Sequence, residues 1–510
     1  MFLAVPAFGQ TYYVDPDFTG GTRTGSASQP WQSLQDSVSP TPWTTLNAAL
    51  ASAPATVYFS ARAAGSDVDE TSTTQIQLNR TDTSANRLTL NGNAFYNTDD
   101  TTPSWVSYSG SSQFHITSST PVDSNNRSAP FTSRSYITVT GFQLTSTINQ
   151  VVFLFSSQNI IITNNIIEHD VGSSIGPAVI TGQSDATAAL PSDITIGPSN
   201  IIRNTYGECV YIGNTAAGEV VPGVEGASGA NITITGNTIY DCGLQGGQGD
   251  AIDVKAGHTN LTISQNTIYQ DTLITTSSPV GIVVESCSLI ERNFIHDMPT
   301  KGVRLVGGYY NVTIGRDGCV LRNNVIVQNV SGNNALDLNG ATMGDATWTN
   351  TGVYNNVIYT TQTTTPVAAL NQTTGIIFTN NIILSSVAVV LANFATGTLG
   401  THDYNVYRRP SGAGTLVTGG ATNYTAATLT TFEANSISTD PVLVDTTTTP
   451  YVATNFALQT SSPAKDTGTT IASFSNDYLN NARPFNTVWD RGAFEFGASV
   501  GTTGASLRVR

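Results

Sequence analysis

Apolar residues recur in short alternating runs along the middle of the chain, and one Asn-containing phrase returns repeatedly. The closest copies are NIIITNNIIEHD from Asn159, NITITGNTIYDC from Asn231 and NLTISQNTIYQD from Asn260. Within each copy the apolar side chains fall at every second position, which is the period of a β-strand. An Asn interrupts each copy at the same place, at intervals of 25 to 32 residues: Asn237, Asn266, Asn293, Asn324, Asn356 and Asn381. A repeat of short strands therefore organises this part of the chain.

The repeating Asn has two physical reasons to stand between two strands. It tolerates the left-handed backbone conformation of a tight turn, and amides stacked on neighbouring coils can hydrogen-bond to one another as a ladder. A further apolar strand follows after a variable loop in successive copies: CVYIG at Cys209, AIDVK at Ala251, GIVVE at Gly281, GVRLV at Gly302 and ALDLN at Ala335. Two or three strands in each repeat predict an all-β fold, a right-handed single-stranded parallel β-helix.

The two ends of the chain depart from this repeat. Trp43 to Ala53 predicts a short amphipathic helix that caps the first coil, because a solenoid cannot leave its apolar end open. We predict a parallel β-helix with this cap over residues 10–394 and a β-rich C-terminal region over residues 395–510, since the strand repeat is lost after Phe394. Residues 1–9 end in the small-x-small pattern of an export signal, which predicts a secreted or periplasmic protein. A frayed apolar terminus is the alternative.

Both ends also resemble the pectate-lyase-like superfamily of parallel β-helix proteins. The opening, TYYVDPDFTGG followed by PWQSL, is similar to the entry of these proteins. The close, NFALQTSSPAKDTGT followed by ARPFNTVWDRGAFEFG, is similar to their terminal SPAxDxG, RP and DxGAxE segment. The resemblance covers most of the chain and implies a secreted bacterial protein that acts on carbohydrate. The superfamily contains lyases, hydrolases, epimerases and non-enzymatic binders, so the resemblance is specific for the fold and not for one activity.

Composition narrows the classes of partner. The chain of 510 residues has a net charge of −15, which argues against nucleic acid because phosphate neutralisation needs a basic surface. No segment reaches the roughly 20 consecutive apolar residues of a membrane span. No nucleotide-binding motif is present, so we expect no organic cofactor. The four cysteines lie too far apart for a CxxC signature. The sequence does not decide whether they form disulfides or are buried as free thiols. We expect a monomer that binds a polysaccharide, acidic or neutral.

Charged side chains are concentrated on the further strand of each repeat. In AIDVK, Ile252 and Val254 point into the core, so the alternation places Asp253 and Lys255 on the outer face. Equivalent positions on neighbouring coils lie about 5 Å apart. The resulting patch, including strand entries, comprises Glu208, Tyr211, Asp250, Asp253, Lys255, Glu285, Lys301, Arg304 and Asp337. Two of the three lysines of the chain fall within it, the third being Lys465.

These residue types suit β-elimination on a uronic-acid polymer. A Ca²⁺ held by Glu208, Asp250 and Asp253 would neutralise the substrate carboxylate. We predict Lys255, Arg304 and Asp253 as catalytic residues, with Lys255 as the general base and Arg304 stabilising the developing charge. We predict that the remaining members of the patch bind substrate: Lys301, Glu285, Asp337 and Tyr211.

The same stretch resembles β-helix lyases that use a lysine base. GDAIDVKAGHTNLTI is similar to their Lys-bearing coil, and GVRLVGG is similar to the coil that supplies their arginine. Here an additional coil, GIVVE, stands between the two.

Three other interpretations compete with the lyase. Lys255 can form an ion pair with Glu285 on the next coil, and Arg304 one with Asp337, with a purely structural role. The carboxylates of the patch can also serve as the acid and base of a glycoside hydrolase, although GDA stands where polygalacturonases of this superfamily have GDD. The third interpretation is a non-catalytic solenoid that binds glycans or acts as an adhesin.

Overall fold

The computed structural model describes most of the chain and divides it into two compact units. The described residues are 9–60, 71–72, 76, 78, 84–97, 104–107, 114–118, 129–130, 134–146, 150–169, 176–182, 190–213, 229–244, 249–271, 279–306, 317–330, 332–338, 348–362, 366–370, 373–394, 399–410 and 414–497. Unit 1 is Met1–Asp253 with Ile274–Ser278, and unit 2 is Val254–Leu273 with Pro279–Arg510. The predicted signal-peptide remnant lies outside the described residues except for Gly9.

Unit 1 contains three parallel sheets, and successive coils add one strand to each sheet. The first sheet comprises Gln10–Val14, Ala55–Ser60, Leu88–Asn97, Ser135–Thr140, Gln158–Thr163, Ser192–Ile196 and Ala230–Thr235, with Ser104–Ser107 paired antiparallel to the third of these. The second comprises Thr71–Ser72, Phe114–Ser118, Phe142–Ser146, Ile166–Glu168, Ile201–Arg203 and Thr238–Tyr240. The third comprises Ala129–Pro130, Val152–Phe153, Val179–Thr181 and Val210–Ile212 and reaches Ile252–Val254, where the unit ends.

Unit 2 repeats the same three-sheet arrangement. Its first sheet comprises Thr259–Ser264, Leu289–Glu291, Val320–Arg322, Gly352–Tyr354, Ile376–Thr379 and Leu399–Asp403. The second comprises Thr267–Tyr269, Phe294–Ile295, Val325–Gln328, Val357–Thr360, Ile382–Ser385 and Val406–Arg408. The third comprises Ile282–Val284, Val303–Leu305, Leu336–Asp337, Ala368–Leu370, Ala392–Phe394 and Val417–Gly419, with Thr422–Tyr424 antiparallel at its edge. Trp348–Thr349 and Thr373–Thr374 form a separate short pair. The predicted parallel β-helix is confirmed.

The predicted N-terminal helix is present as Pro42–Leu50. It begins at Thr41, whose side chain accepts a hydrogen bond from the backbone N–H of Thr44, a typical N-cap. Its apolar side chains, including Trp43 and Leu46, are buried. The helix therefore covers apolar surface beside the first strands, as a cap must.

The repeating Asn forms a buried ladder, but it does not adopt the backbone conformation that the sequence suggested. In unit 2 each side-chain N–H donates to the Oδ1 of the Asn one coil further on, at 2.9–3.2 Å, along Asn266, Asn293, Asn324, Asn356, Asn381 and Asn405. The positive φ belongs to the preceding residue, for example Gln265, Arg292 and Asn323. The turn and the ladder are thus carried by two adjacent residues, and the assignment of both to one Asn is wrong.

Each disulfide joins two positions one coil apart, which settles the question that spacing left open. Unit 1 contains Cys209–Cys242 and unit 2 contains Cys287–Cys319, at sequence separations of 33 and 32 residues. Because one coil is about this long, the partners of each pair lie on neighbouring coils.

The C-terminal part of unit 2 differs from the β-rich region predicted after Phe394. All three sheets continue beyond that residue, to Val417–Gly419 in the third sheet. Among the described residues 425–497 there is no strand, only the 3₁₀ helices Leu429–Thr431 and Ala453–Phe456 and isolated bridges. This region covers the outer face of the second sheet, where apolar side chains of both form one buried cluster: Phe294, Val325, Val357, Ile382, Val406, Leu443, Tyr451, Phe456, Ala464 and Phe494.

Candidate functional site

The outer face of the third sheet in unit 2 brings together five of the predicted site residues. The strand register places Val283, Arg304 and Asp337 opposite one another on successive coils. This row was predicted from the alternation of the sequence, and the register confirms it. We call the five charged residues on this face the charge network: Lys255, Glu285, Lys301, Arg304 and Asp337.

Some outward side chains of the third sheet are more buried than those of the first. In the first-sheet strand Val320–Arg322 only the inward side chain is buried, whereas every residue of Ile282–Val284 is buried. In Val303–Leu305 the outward Arg304 is partly exposed. The side chain of Asp337 is only 2% exposed, and that of Arg304 is 28% exposed. The charges therefore lie in a partly desolvated environment, where electrostatic interactions are stronger than in water.

Asp337 is held between two cations. Its Oδ2 forms an ion pair with the Nζ of Lys301 and lies 3.5 Å from the Nε of Arg304. Its Oδ1 is buried and accepts no hydrogen bond from any described residue. The charge of Asp337 is therefore compensated by Lys301 and Arg304, and its Oδ1 can accept one further hydrogen bond.

Lys255 belongs to a separate ion pair. Its Nζ lies 3.7 Å from Glu285 Oε1, and the two side chains are 14% and 5% exposed. The backbone fixes the two coils against each other, since the Glu285 N–H donates to the Val254 carbonyl at 2.8 Å. The ion pairs predicted as the structural interpretation are both present. The coil of Ile282–Val284 separates Lys255 from Arg304 along the sheet.

The charge network contains three cations and two carboxylates. Asp253, two residues before Lys255, is a further buried carboxylate. Cations and carboxylates therefore alternate on this part of the chain.

The predicted calcium ligands belong to unit 1 and do not form a metal site. Glu208 and Asp250 stand at the entries of adjacent strands, where the Cys209 N–H donates to the Asp250 carbonyl at 3.1 Å. Glu208 and Asp253 are both buried. Among the described residues, no group of three His, Cys, Asp or Glu side chains is placed to hold a metal ion.

Tyr211, the predicted aromatic contact, lies on the third sheet of unit 1. It pairs in register with Ile180, and Ile180 pairs with Phe153 on the preceding coil. Tyr211 is buried. In unit 1 the first three residues of this row, Phe153, Ile180 and Tyr211, are therefore apolar or aromatic rather than charged.

Two polar groups on the second sheet were not among the predicted site residues. In unit 1, Arg203 pairs with Glu168 and donates to the hydroxyl of Tyr240 at 2.8 Å. In unit 2, His296 Nδ1 lies 2.6 Å from Asp297 Oδ2. Burial raises the pKa of Asp297, but hydrogen bonds with His296 and Asn329 outweigh it and hold that pKa below its ordinary value. A sequence feature that indicates these groups is the charged residue or His at the end of each second-sheet strand, as in IIEHD, IIRN and FIHD.

Among the described residues, no helix has the length and apolar character required to cross a bilayer.

No protein-family model and no curated protein matches the chain. Among solved structures, XylC in complex with xylose superimposes with a TM-score of 0.52 at 12% identity, over 95% of this chain and 98% of that one. Pectate lyase Pel9A gives a TM-score of 0.43 at 12% identity, over 96% and 97%. The A-module of mannuronan C-5 epimerase AlgE4 from Azotobacter vinelandii gives 0.40 at 12% identity, over 78% and 96%. The chain has the parallel β-helix fold, which it shares with XylC at 12% identity.

Proposed function

We propose that the protein is a secreted polysaccharide lyase that cleaves a uronic-acid-containing glycan at the charge network. The observation that carries this proposal is the group of three cations on the third sheet of unit 2, two of which contact one carboxylate, that of Asp337. Cations that are partly withdrawn from solvent interact with a substrate carboxylate more strongly than cations in water.

Lys301 and Arg304 are the groups suited to the substrate carboxylate. Both already contact a carboxylate, that of Asp337, so their donors are oriented for one. A uronate carboxylate that contacts the same cations is neutralised, which makes the adjacent C–H more acidic. Arg304 is the more exposed of the two. It is the residue that we assign to the charge that develops in the transition state.

Lys255 is assigned as the general base. Its amine removes the proton from the carbon beside the carboxylate, the electron pair forms a carbon–carbon double bond, and the glycosidic carbon–oxygen bond at the next carbon breaks. The leaving oxygen takes a proton from water, and the proton that Lys255 removed neutralises the hydroxide that remains. A neutral amine is needed for the first step, so Glu285 must separate from Lys255 as the substrate enters.

The coarser part of the proposal, a carbohydrate ligand, has independent support. XylC, which superimposes over nearly the whole length of both chains, was determined in complex with xylose. The two disulfides are consistent with an oxidising, extracellular compartment.

A glycoside hydrolase is the second candidate. Glu285 and Asp337 are both almost fully buried, and Asp337 has an oxygen that accepts no hydrogen bond from a described residue. A protonated and an ionised carboxylate on one face are the groups that hydrolysis requires.

One substrate screen separates these activities. Purified protein is incubated with pectate, alginate, glycosaminoglycans and neutral glycans, and ultraviolet absorbance and reducing ends are both followed. A lyase produces the absorbance of an unsaturated uronate on an acidic polymer. Reducing ends without that absorbance would identify a hydrolase. Binding of a glycan with neither signal would contradict catalysis and leave a binding solenoid.

A further inference from the structure

A pocket in unit 2 lies outside the charge network, against the second sheet. It has a volume of about 450 Å³ and lies between that sheet and the segment 440–446. Its floor is apolar and is formed by Tyr359, Leu384 and Leu443, all of which are buried. These side chains belong to the cluster between the sheet and the C-terminal region, so packing fixes the floor.

Two arginines and one carboxylate are the charged residues that line this pocket: Arg408, Arg409 and Asp440. Arg409 is buried, and its Nη1 donates to the Val389 carbonyl at 2.8 Å. Arg408 is the more accessible of the two, with a side chain that is 34% exposed. Cations therefore outnumber carboxylates in the lining, which favours an anionic ligand.

The acidic residues of the segment 440–446 are engaged by their own loop. Asp440 Oδ1 accepts a hydrogen bond from the Val442 N–H at 2.9 Å. Asp445 Oδ1 accepts hydrogen bonds from the backbone N–H and the hydroxyl of Thr447 at 2.7 and 2.8 Å. Each carboxylate thus stabilises a turn, and neither is needed to satisfy Arg408.

Arg408 has donors that are available to a ligand. Its Nη1 donates to the Arg409 carbonyl at 2.6 Å, which orients the guanidinium. Its Nε lies 3.6 Å from Asp440 Oδ2, which is longer than a hydrogen bond. In the part of the chain that the structure describes, Arg408 donates no hydrogen bond other than the one from Nη1. The planar fork of a guanidinium matches the two oxygens of a carboxylate.

The wall of the pocket contains a strained residue, Val442. It has a φ of 48°, and among the described non-glycine residues with positive φ it is the only β-branched one. A β-branched side chain is strongly disfavoured in this conformation. Strain of this kind persists where the surroundings hold the backbone, and it concentrates at ligand-binding sites. The hydrogen bond to Asp440 is such a restraint, and it fixes the wall beside Arg408.

We propose that this pocket binds a uronate, with the carboxylate on Arg408 and the sugar ring on the apolar floor. A sugar ring has an apolar C–H face and a rim of hydroxyls that donate and accept. Ser386 and Thr446 add hydroxyl groups to the lining, and the volume lies within the range of small-molecule sites. A neutral sugar lacks the charged acceptor for Arg408, and a small carboxylate lacks the ring that covers the floor.

This site goes beyond the proposed lyase activity and does not depend on it, because no residue of the charge network lines the pocket. The charge network belongs to the third sheet, whereas Tyr359, Leu384 and Arg408 belong to the second. If both sites bind uronates, the protein has two separate contacts to one acidic polymer, which raises its avidity.

The test is isothermal titration calorimetry on the full chain carrying Arg304→Gln, so that a uronate at the charge network contributes little. D-Glucuronate is compared with D-glucose, which lacks the carboxylate, and with acetate, which lacks the ring. We expect a dissociation constant of about 1 mM for glucuronate, and values at least ~10-fold higher for glucose and acetate. Methyl β-D-glucuronide distinguishes the two sources of a uronate: equal binding indicates a residue within a glycan, and its loss indicates a free sugar.

Two variants of the charged lining should change the affinity in opposite directions. Arg408→Ala removes the partner of the carboxylate and should weaken glucuronate binding by at least ~10-fold, with glucose unaffected. Asp440→Asn retains an oxygen for the Val442 N–H but removes the competing negative charge, so it should tighten glucuronate binding by about 3-fold or more. A variant that merely unfolds cannot bind more tightly. Ser386 is exposed, so Ser386→Trp should fill the mouth and abolish binding without disturbing the core.

Two results would overturn the proposal: unchanged glucuronate binding in the chain that carries Arg408→Ala, or no binding of glucuronate at about 50 mM. Equal affinities for acetate and glucuronate would overturn the placement of the ring on the floor. Lys255→Ala, which removes the proposed base of the lyase, should leave glucuronate binding in this pocket unchanged. Failure of the lyase proposal and failure of this one are therefore separate outcomes.

Discussion

Arg483 is predicted to hold the C-terminal region onto the β-helix of unit 2. Its side chain is fully buried and pairs with Glu495 through Nη1 and Oε1 at 2.6 Å. It also donates to the carbonyls of Asp490 and Gly492 at 3.2 and 2.8 Å, and to Asn323 Oδ1 at 3.1 Å. Burial lowers the pKa of Arg483, and the acidic neighbours oppose this effect. The RP and DxGAxE parts of the terminal motif are therefore joined by one guanidinium.

Arg483→Ala removes one partner of this buried pair and leaves Glu495 without its counter-charge. Breaking a buried pair in this way costs about 3–5 kcal/mol. The matched control is Arg408→Ala, because Arg408 forms an ion pair that is 34% and 63% exposed. An exposed pair of this kind contributes only about 0–1 kcal/mol.

Urea unfolding followed by tryptophan fluorescence is the assay, since the ring of Trp489 lies 5.7 Å from the Arg483 guanidinium. We expect the free energy of unfolding to fall by about 3–5 kcal/mol in Arg483→Ala and by less than about 1 kcal/mol in Arg408→Ala. Equal and small losses in the two variants would refute the assignment of Arg483 as the residue that fixes this region.

Two further predictions concern buried polar groups of unit 2. Asn324→Ala interrupts the ladder, because the backbone N–H and one side-chain N–H of Asn293 lose their acceptor and the Ile290 carbonyl loses one donor. We expect the free energy of unfolding to fall by about 2–4 kcal/mol, measured by urea unfolding. Burial raises the pKa of Asp490 to about 6. The folded state therefore binds more protons than the unfolded state between about pH 4 and 6, and the contribution of Asp490 to stability falls as pH rises through that window, by up to about 3 kcal/mol. Asp490→Asn should remove this part of the pH dependence of Tm, and an unchanged profile would contradict the assignment.

The architecture was predictable because it follows from periodicity. The interval between Asn positions reports the length of a coil, and the alternation in AIDVK and GVRLV reports which side chains face outward. The row of Val283, Arg304 and Asp337 follows from that alternation alone, and the register agrees.

The features that were not predicted depend on contacts that the spacing of the sequence repeat does not reveal. The positive φ at Arg292 rather than at Asn293 follows from the buried amide ladder, which fixes the Asn and passes the turn to its neighbour. The cover over the second sheet comes from residues beyond position 440, far away in sequence. Grouping Glu208, Asp250 and Asp253 as calcium ligands assumed converging side chains, which strand spacing does not establish.

The central claim, that the charge network is the catalytic site, is tested most directly by comparing two lysine variants on the polymer identified in the substrate screen. Lys255→Ala removes the proposed base, and Lys465→Ala is the matched control, since Lys465 lies in the C-terminal region in contact with Asp466 and Phe496. The measurement is kcat/KM from the absorbance of the unsaturated product. We predict a decrease of at least ~10²-fold in Lys255→Ala, with kcat/KM of Lys465→Ala equal to that of the parent protein. Equal kcat/KM in Lys255→Ala and the parent protein would contradict the claim.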